Sequence, residues 1–190
     1  MASSAQSLYL RATEGPTFVR ARYGSLRGLL RLLLSRLGTS RRFATVDWTR
    51  VERLVFVCTG NICRSPYAEA LARRAGVPAI SVALRGRTGA PAYPAAIVAA
   101  RVEGVDLGAH RSTAIEEADL GPGDLLVAME PWQATAILGR GGAQVTLLGL
   151  WSTPRRPHLH DPHGLSDDYF RTCFAIVDSA VASIVARIGK

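Results

Sequence analysis

At 190 residues, 48% of them apolar and with no uninterrupted apolar run near 20, the chain has room for one α/β domain and an appendage and does not read as membrane-spanning. Three cysteines, two of them within one short loop, exclude a secreted disulfide framework, and a reactive thiol needs a reducing compartment, so the expected location is cytoplasmic. The net charge of +8 is concentrated in residues 1–50, where nine arginines face only Glu14 and Asp47; the nearly neutral remainder gives no reason to expect nucleic-acid binding.

The chain divides into a basic extension, residues 1–50, and a domain over 51–190. Within the extension, Ser25 to Leu37 reads as a short helix with a wide leucine face and Arg27, Arg31 and Arg36 on the other side. Gly28 costs that helix about 1 kcal/mol relative to alanine. Three uses stay open for it: docking on the domain or on a second copy, peripheral contact with an anionic membrane, or no folded role.

From Val51 onward, apolar strand-like runs alternate with helical patterns, which predicts a parallel sheet with crossover helices. The strands fall at Leu54–Val57, Ala79–Leu84, Asp124–Met129 and Gln144–Leu147, and the helices near 66–75, 94–103, 131–139 and 167–188. Right-handed crossovers put ligand chemistry at the carboxyl ends of the strands, which is where Cys58 falls.

Between the first strand and its helix runs Cys58-Thr59-Gly60-Asn61-Ile62-Cys63-Arg64-Ser65-Pro66. A loop curled before a helix N-terminus converges its backbone N–H groups on one point and suits an oxyanion. Those donors and the Arg64 guanidinium should hold the Cys58 sulfur as a thiolate, and Arg64 offers a planar fork for two phosphoryl oxygens. Gly60 and Asn61 tolerate positive φ, and the Ser65 hydroxyl can donate to the sulfur.

This string resembles the phosphate-binding loop of the low-molecular-weight protein tyrosine phosphatases, with Gly, Asn, a second Cys, Ser and Pro all in the family's places. The resemblance covers about residues 52–188. It implies a flavodoxin-like, phosphotyrosine phosphatase I fold, a four-stranded parallel sheet of order 2-1-3-4 flanked by helices. It also implies hydrolysis of protein phosphotyrosine through a cysteinyl phosphate, with Cys58 and Arg64 catalytic, Thr59, Gly60, Asn61, Ile62, Cys63 and Ser65 binding phosphate, and no metal or cofactor. Ser81 and His110 match the residues that support the loop asparagine, here Asn61. Cys63 matches a second cysteine that traps the oxidised nucleophile as a disulfide.

A phosphate ester also needs a proton on its leaving oxygen. Asp161, in His160-Asp161-Pro162-His163-Gly164, is the candidate general acid; Pro162 restricts it to extended backbone, and the segment looks like the family's Asp-Pro loop. Asp167 and Asp168 suit the positive end of the last helix instead. His158, His160 and His163 cluster without a matching Cys or His pair, and the reading gives them no metal. Cys173 lies on the apolar stripe of the last helix and reads as core.

For substrate, Ile62 accompanies tyrosine-phosphate activity in the family, where threonine marks protein-arginine phosphatases. Arg87 stands where an aromatic rim residue is common and His163 follows the Asp-Pro, so the expected aromatic wall is thin and acidic flanking sequence is favoured. Arsenate reductases share the loop but need two further cysteines, and only Cys173 remains. A non-catalytic phosphate-binding module is the other alternative. The partner implied is a phosphotyrosine-containing protein, in bacteria a tyrosine kinase controlling exopolysaccharide production.

Overall fold

The run Leu54–Val57 is wholly buried and forms the centre of the sheet, as an apolar strand covered on both faces must. The computed structural model describes residues 18–36 and 40–188. Its four parallel strands are β1 (Arg53–Cys58), β2 (Ala79–Ala83), β3 (Asp124–Ala128) and β4 (Gln144–Leu147), in the order β2-β1-β3-β4. Register pairs Cys58 with Ala83 and Val57 with Ala128, so the end of β1 lies between the ends of its neighbours. The helices are α1 (Leu26–Arg36), α2 (Arg64–Arg74), α3 (Pro94–Val102), α4 (Pro131–Ala136) and α5 (Asp167–Val185). The expected α/β fold and strand order hold.

Alternation along β1 builds two cores. Leu54, Phe56 and Cys58 pack with residues of α2, α3 and α5, while Val55 and Val57 pack with Ala134 and Ile137 at α4. Tyr67 of α2 stacks on Phe174 of α5 at 3.9 Å between ring centres and donates to Asp178 Oδ1 at 2.8 Å. Helix α5 opens on Ser166, whose side chain accepts from the Tyr169 amide, with Asp167 and Asp168 in its first turn. Helix α4 stops at Ala136, short of the expected 139; Gly139, Gly141 and Gly142 follow with positive φ.

The extension makes extensive contact with the sheet and with α5. Phe43 is buried in the second core, its carbonyl accepts from Thr146 Oγ1 at 2.7 Å, and the Asp47 amide donates to Gln144 Oε1 at 2.8 Å. Earlier, Thr172 Oγ1 donates to the Ala21 carbonyl and Arg156 Nη1 to that of Arg22.

Helix α1 turns an unexpected face inward. Gly24, just before it, and Gly28, Leu32 and Ser35 within it are buried, while Leu26, Leu30, Leu33 and Leu34 are 48–74% exposed. The cause is close approach: a Cβ at Gly28 would sit 2.2 Å from the Tyr23 carbonyl oxygen and 3.0 Å from His160 Cδ2. Small residues and Leu32, not the other leucines, make the contact. Leu37, the side chain of Arg36 and residues 1–17 of the extension lie outside the described residues.

Candidate active site

Cys58 ends β1 with its side chain buried, and the loop that follows turns back over it. Its sulfur accepts from the Asn61 amide at 3.2 Å and from Ser65 Oγ at 3.0 Å. Positive φ is found at Asn61 (53°) and not at Gly60. Asn61 is fully buried and held from four sides: Nδ2 donates to Ser65 Oγ (2.9 Å) and Ser81 Oγ (2.7 Å), Oδ1 accepts from the Thr113 amide (2.9 Å), and its carbonyl accepts from His110 Nε2 (2.7 Å). Ser81 in turn donates to Glu69 Oε2 at 2.6 Å. Ser81 and His110 both reach the loop asparagine; Thr113 and Glu69, which complete the network, have no signature in the sequence.

Arg64 opens α2 with no solvent exposure. Its Nη1 donates to Glu130 Oε1 at 2.9 Å and to the Leu159 carbonyl at 2.6 Å. Nη2 lies 2.8 Å from Asp161 Oδ2, and Nε has no hydrogen-bond partner among the described residues. Burial works against the guanidinium charge, but Asp161, Glu130 and Cys58 outweigh it and keep Arg64 cationic. One edge of the fork is thus anchored by Glu130, and the other faces the loop that carries Asp161.

Glu130 is the principal residue the sequence reading missed. It is buried two residues after β3, at the sheet end that carries Cys58, and accepts from Trp132 Nε1 at 3.1 Å as well as from Arg64. Its signal was available: an acid following a buried parallel strand lands where α/β sites assemble. Gln133 braces the same corner, donating to Thr59 Oγ1 at 3.1 Å and accepting from the Met129 and Glu130 amides.

An open cavity of about 420 Å³ is lined by Thr59, Asp161, Glu130, Trp132, Arg85, His160 and Arg31. The rim therefore differs from the expected one. Arg87 and His163 do not line it: Arg87 is exposed with its carbonyl accepting from Ser112 Oγ, and His163 packs on Tyr93 at 4.5 Å. The cation beside the loop is Arg85, whose amide donates to the Thr59 carbonyl and whose guanidinium lies 4.7 Å from the centre of the Trp132 ring. Trp132 provides an aromatic surface where the sequence suggested little.

The three clustered histidines have separate surroundings. Burial pushes the pKa of His158 down to about 4 against the opposing pull of neighbouring Glu130; His160, also lowered by burial, contacts Ser25 Oγ of the extension at 3.2 Å. Among the described residues no group of three His, Cys, Asp or Glu side chains is placed to hold a metal ion. Burial pushes the Cys63 thiol well up and that of Cys173, in the core against α2, up to about 12.

A nucleophile-bearing Cys-x5-Arg loop at the carboxyl end of the central strand, on a β2-β1-β3-β4 sheet, defines a cysteine-dependent phosphatase of the low-molecular-weight class. Residues 53–190 match the family described as low molecular weight phosphotyrosine protein phosphatase, and the chain belongs to it. It is 32% identical over 147 residues to the low molecular weight protein-tyrosine-phosphatase Etp of Escherichia coli K12, covering 74% of this chain and 97% of Etp. It is 29% identical over 140 residues to the probable phosphatase EpsP of Ralstonia solanacearum, covering 73% and 97%. Among solved structures it is similar to the tyrosine phosphatase Wzb of Escherichia coli K30 in complex with sulphate, with a TM-score of 0.63 and 27% identity over 73% of this chain and 99% of Wzb. The matched segments leave most of the extension without a counterpart.

Proposed function

We propose that this chain hydrolyses phosphotyrosine in a protein substrate through a cysteinyl-phosphate intermediate. The Cys58 sulfur attacks phosphorus in line while Nε and Nη2 of Arg64 and the amides of the 59–65 loop hold the equatorial oxygens. Asp161 protonates the departing phenolic oxygen. Water then attacks the cysteinyl phosphate with Asp161 as base, and inorganic phosphate leaves. Ser65 steadies the sulfur as nucleophile and again as leaving group. One observation carries this reading: buried Arg64 has Nη1 fixed by Glu130 and Leu159 while Nε keeps no partner among the described residues, beside a cysteine that accepts two hydrogen bonds.

Ile62 and the aryl-compatible surface of Trp132 support tyrosine over arginine phosphate. Cys173 is fully buried in α5, which disfavours an arsenate-reducing cysteine relay. The test is phosphate release from phosphotyrosyl and phosphoarginyl peptides in reducing buffer. Release from the tyrosyl peptide, abolished by Cys58→Ser and sharply slowed by Asp161→Asn, is expected; release from the arginyl peptide alone, or from neither, would sink the reading.

The partner proposed is a phosphotyrosine-bearing protein of the cytoplasm, a bacterial tyrosine kinase being the candidate that the family resemblance suggests. Exposed Leu26, Leu30, Leu33 and Leu34 with exposed Arg20, Arg22 and Arg27 favour peripheral contact with an anionic membrane. Among the described residues no helix is long and apolar enough to cross one. Cosedimentation with phosphatidylserine vesicles, lost in Leu30→Ser/Leu34→Ser, is the expected result; a protein that stays in the supernatant would remove membrane contact.

A further inference from the structure

The extension places a side chain in the cavity lined by Thr59, Glu130 and Asp161, next to the Cys58 loop. Arg31 stands on α1, outside the residues that match the family, yet it lines the cavity with Thr59, Arg85 and Asp161. Its Nη1 lies 3.9 Å from Glu130 Oε2, and its side chain remains 40% exposed. That pair is long and half-solvated, so it binds Arg31 weakly and leaves most guanidinium donors for another anion. Helix α1 itself is firmly seated by the close approach of Gly28 to His160 and by burial of Leu32.

Charge balance says which anion. Glu130 and Asp161 both pair closely with buried Arg64, Arg31 reaches Glu130 only at 3.9 Å, and Arg85 has no ion pair among the described residues, so Arg31 and Arg85 are the least engaged cations of the rim. The phosphoryl group itself has its partners at the floor, in Arg64 and the loop amides. What meets partly exposed Arg31 and exposed Arg85 at the opening is whatever surrounds the phosphotyrosine.

We propose that Arg31, acting with Arg85, is a specificity-determining residue that selects phosphotyrosyl segments carrying a second negative charge beside the phosphate. That charge comes from an acidic side chain or from a neighbouring phosphotyrosine. The inference rests on the phosphotyrosine reading above and adds that the site is completed in cis by the extension.

The test uses the full chain and three peptides of one backbone: singly phosphorylated with neutral flanks, singly phosphorylated with acidic flanks, and doubly phosphorylated. Hydrolysis is followed with intact Cys58 and binding by calorimetry in the Cys58→Ser background. The charged peptides are expected to be preferred about 10-fold, and Arg31→Gln to cut that preference about 5-fold, through KM and not kcat, with Arg31→Lys keeping most of it. Gly28→Leu, which forces α1 off His160, should lose the preference as Arg31→Gln does. The charged peptide that loses more in Arg31→Gln identifies the source of the second charge. Hydrolysis with no preference, or a preference that survives Arg31→Gln, overturns the inference and leaves the phosphatase reading standing. An Arg31-dependent binding preference without hydrolysis sinks the phosphatase reading instead.

Discussion

Nη2 of Arg64 lies 2.8 Å from Oδ2 of Asp161, so the residue proposed to protonate the leaving group is also an ion-pair partner of the residue proposed to hold the phosphate. An arriving phosphoryl group competes with that carboxylate for one edge of the guanidinium. Asp161→Asn removes the competing charge together with the proton donor. Turnover of an aryl phosphate should fall about 100-fold or more, while affinity for inorganic phosphate or vanadate rises several-fold. Inhibition constants of the two oxyanions measure this; weaker oxyanion binding in the variant would show that Asp161 does not compete.

Glu130 anchors the opposite edge of the same guanidinium. Glu130→Gln keeps an acceptor near Arg64 Nη1 but removes the charge that helps keep a fully buried cation in place. The expected outcome is a loss of about 1–3 kcal/mol in urea unfolding and a 10- to 100-fold fall in kcat/KM from misplacement of the fork. A fully active Glu130→Gln would mean that Leu159 and Asp161 suffice to orient Arg64.

What the sequence revealed depended on whether the chemistry was contiguous. Cys58 to Ser65 carry loop, nucleophile and cation in eight consecutive residues, and the apolar β1 run fixes where they sit, so the floor of the site was legible. The rim comes from four separate segments, and no periodicity governs where they meet: Arg85 and Arg87 are two residues apart in a loop, and only Arg85 lines the cavity. Arg31 was beyond reach for a stronger reason. Amphipathic patterning predicts that leucines dock, whereas α1 docks by Gly28 and Leu32 because His160 fills the space a side chain at 28 would need.

Asn61 is the structural keystone of the loop, with φ of 53° and three side-chain hydrogen bonds from a fully buried position. Asn61→Ala should cost about 2–3 kcal/mol, from lost hydrogen bonds and an alanine forced into left-handed backbone. Ser81→Ala, which removes one partner, should cost about 1 kcal/mol. Chemical denaturation of both variants checks the ranking, and equal stability of Asn61→Ala and wild type would contradict it.

Burial keeps Cys63 a thiol, so it does not compete with Cys58 for phosphorus, yet it stands in the same loop. Peroxide should convert the Cys58 sulfur to a sulfenic acid, which the Cys63 thiol then attacks to give a disulfide and release water. Activity of the wild type should return with dithiothreitol after a peroxide pulse, and Cys63→Ala should recover far less. Equal recovery would assign Cys63 to packing alone.

His158 sets an acid limit on the fold. Its side chain is 2% exposed, neither ring nitrogen has a hydrogen-bond partner among the described residues, and burial pushes its pKa from an ordinary 6.5 down to about 4 against the opposing pull of Glu130. A depressed histidine favours the neutral form in the folded state, while the unfolded chain binds the proton. Its contribution is therefore fully present above pH 6.5 and is lost as pH falls towards 4, on the order of 3 kcal/mol over that window. Thermal unfolding between pH 7 and 4.5 should show a falling midpoint, with a shallower slope in His158→Phe, where no group at this position takes up a proton. His160, lowered by burial as well, leaves a residual slope in that variant. A slope identical to wild type would mean that carboxylate protonation elsewhere governs the acid limit, and that the uncharged packing of His158 against Glu130 costs the fold nothing in acid.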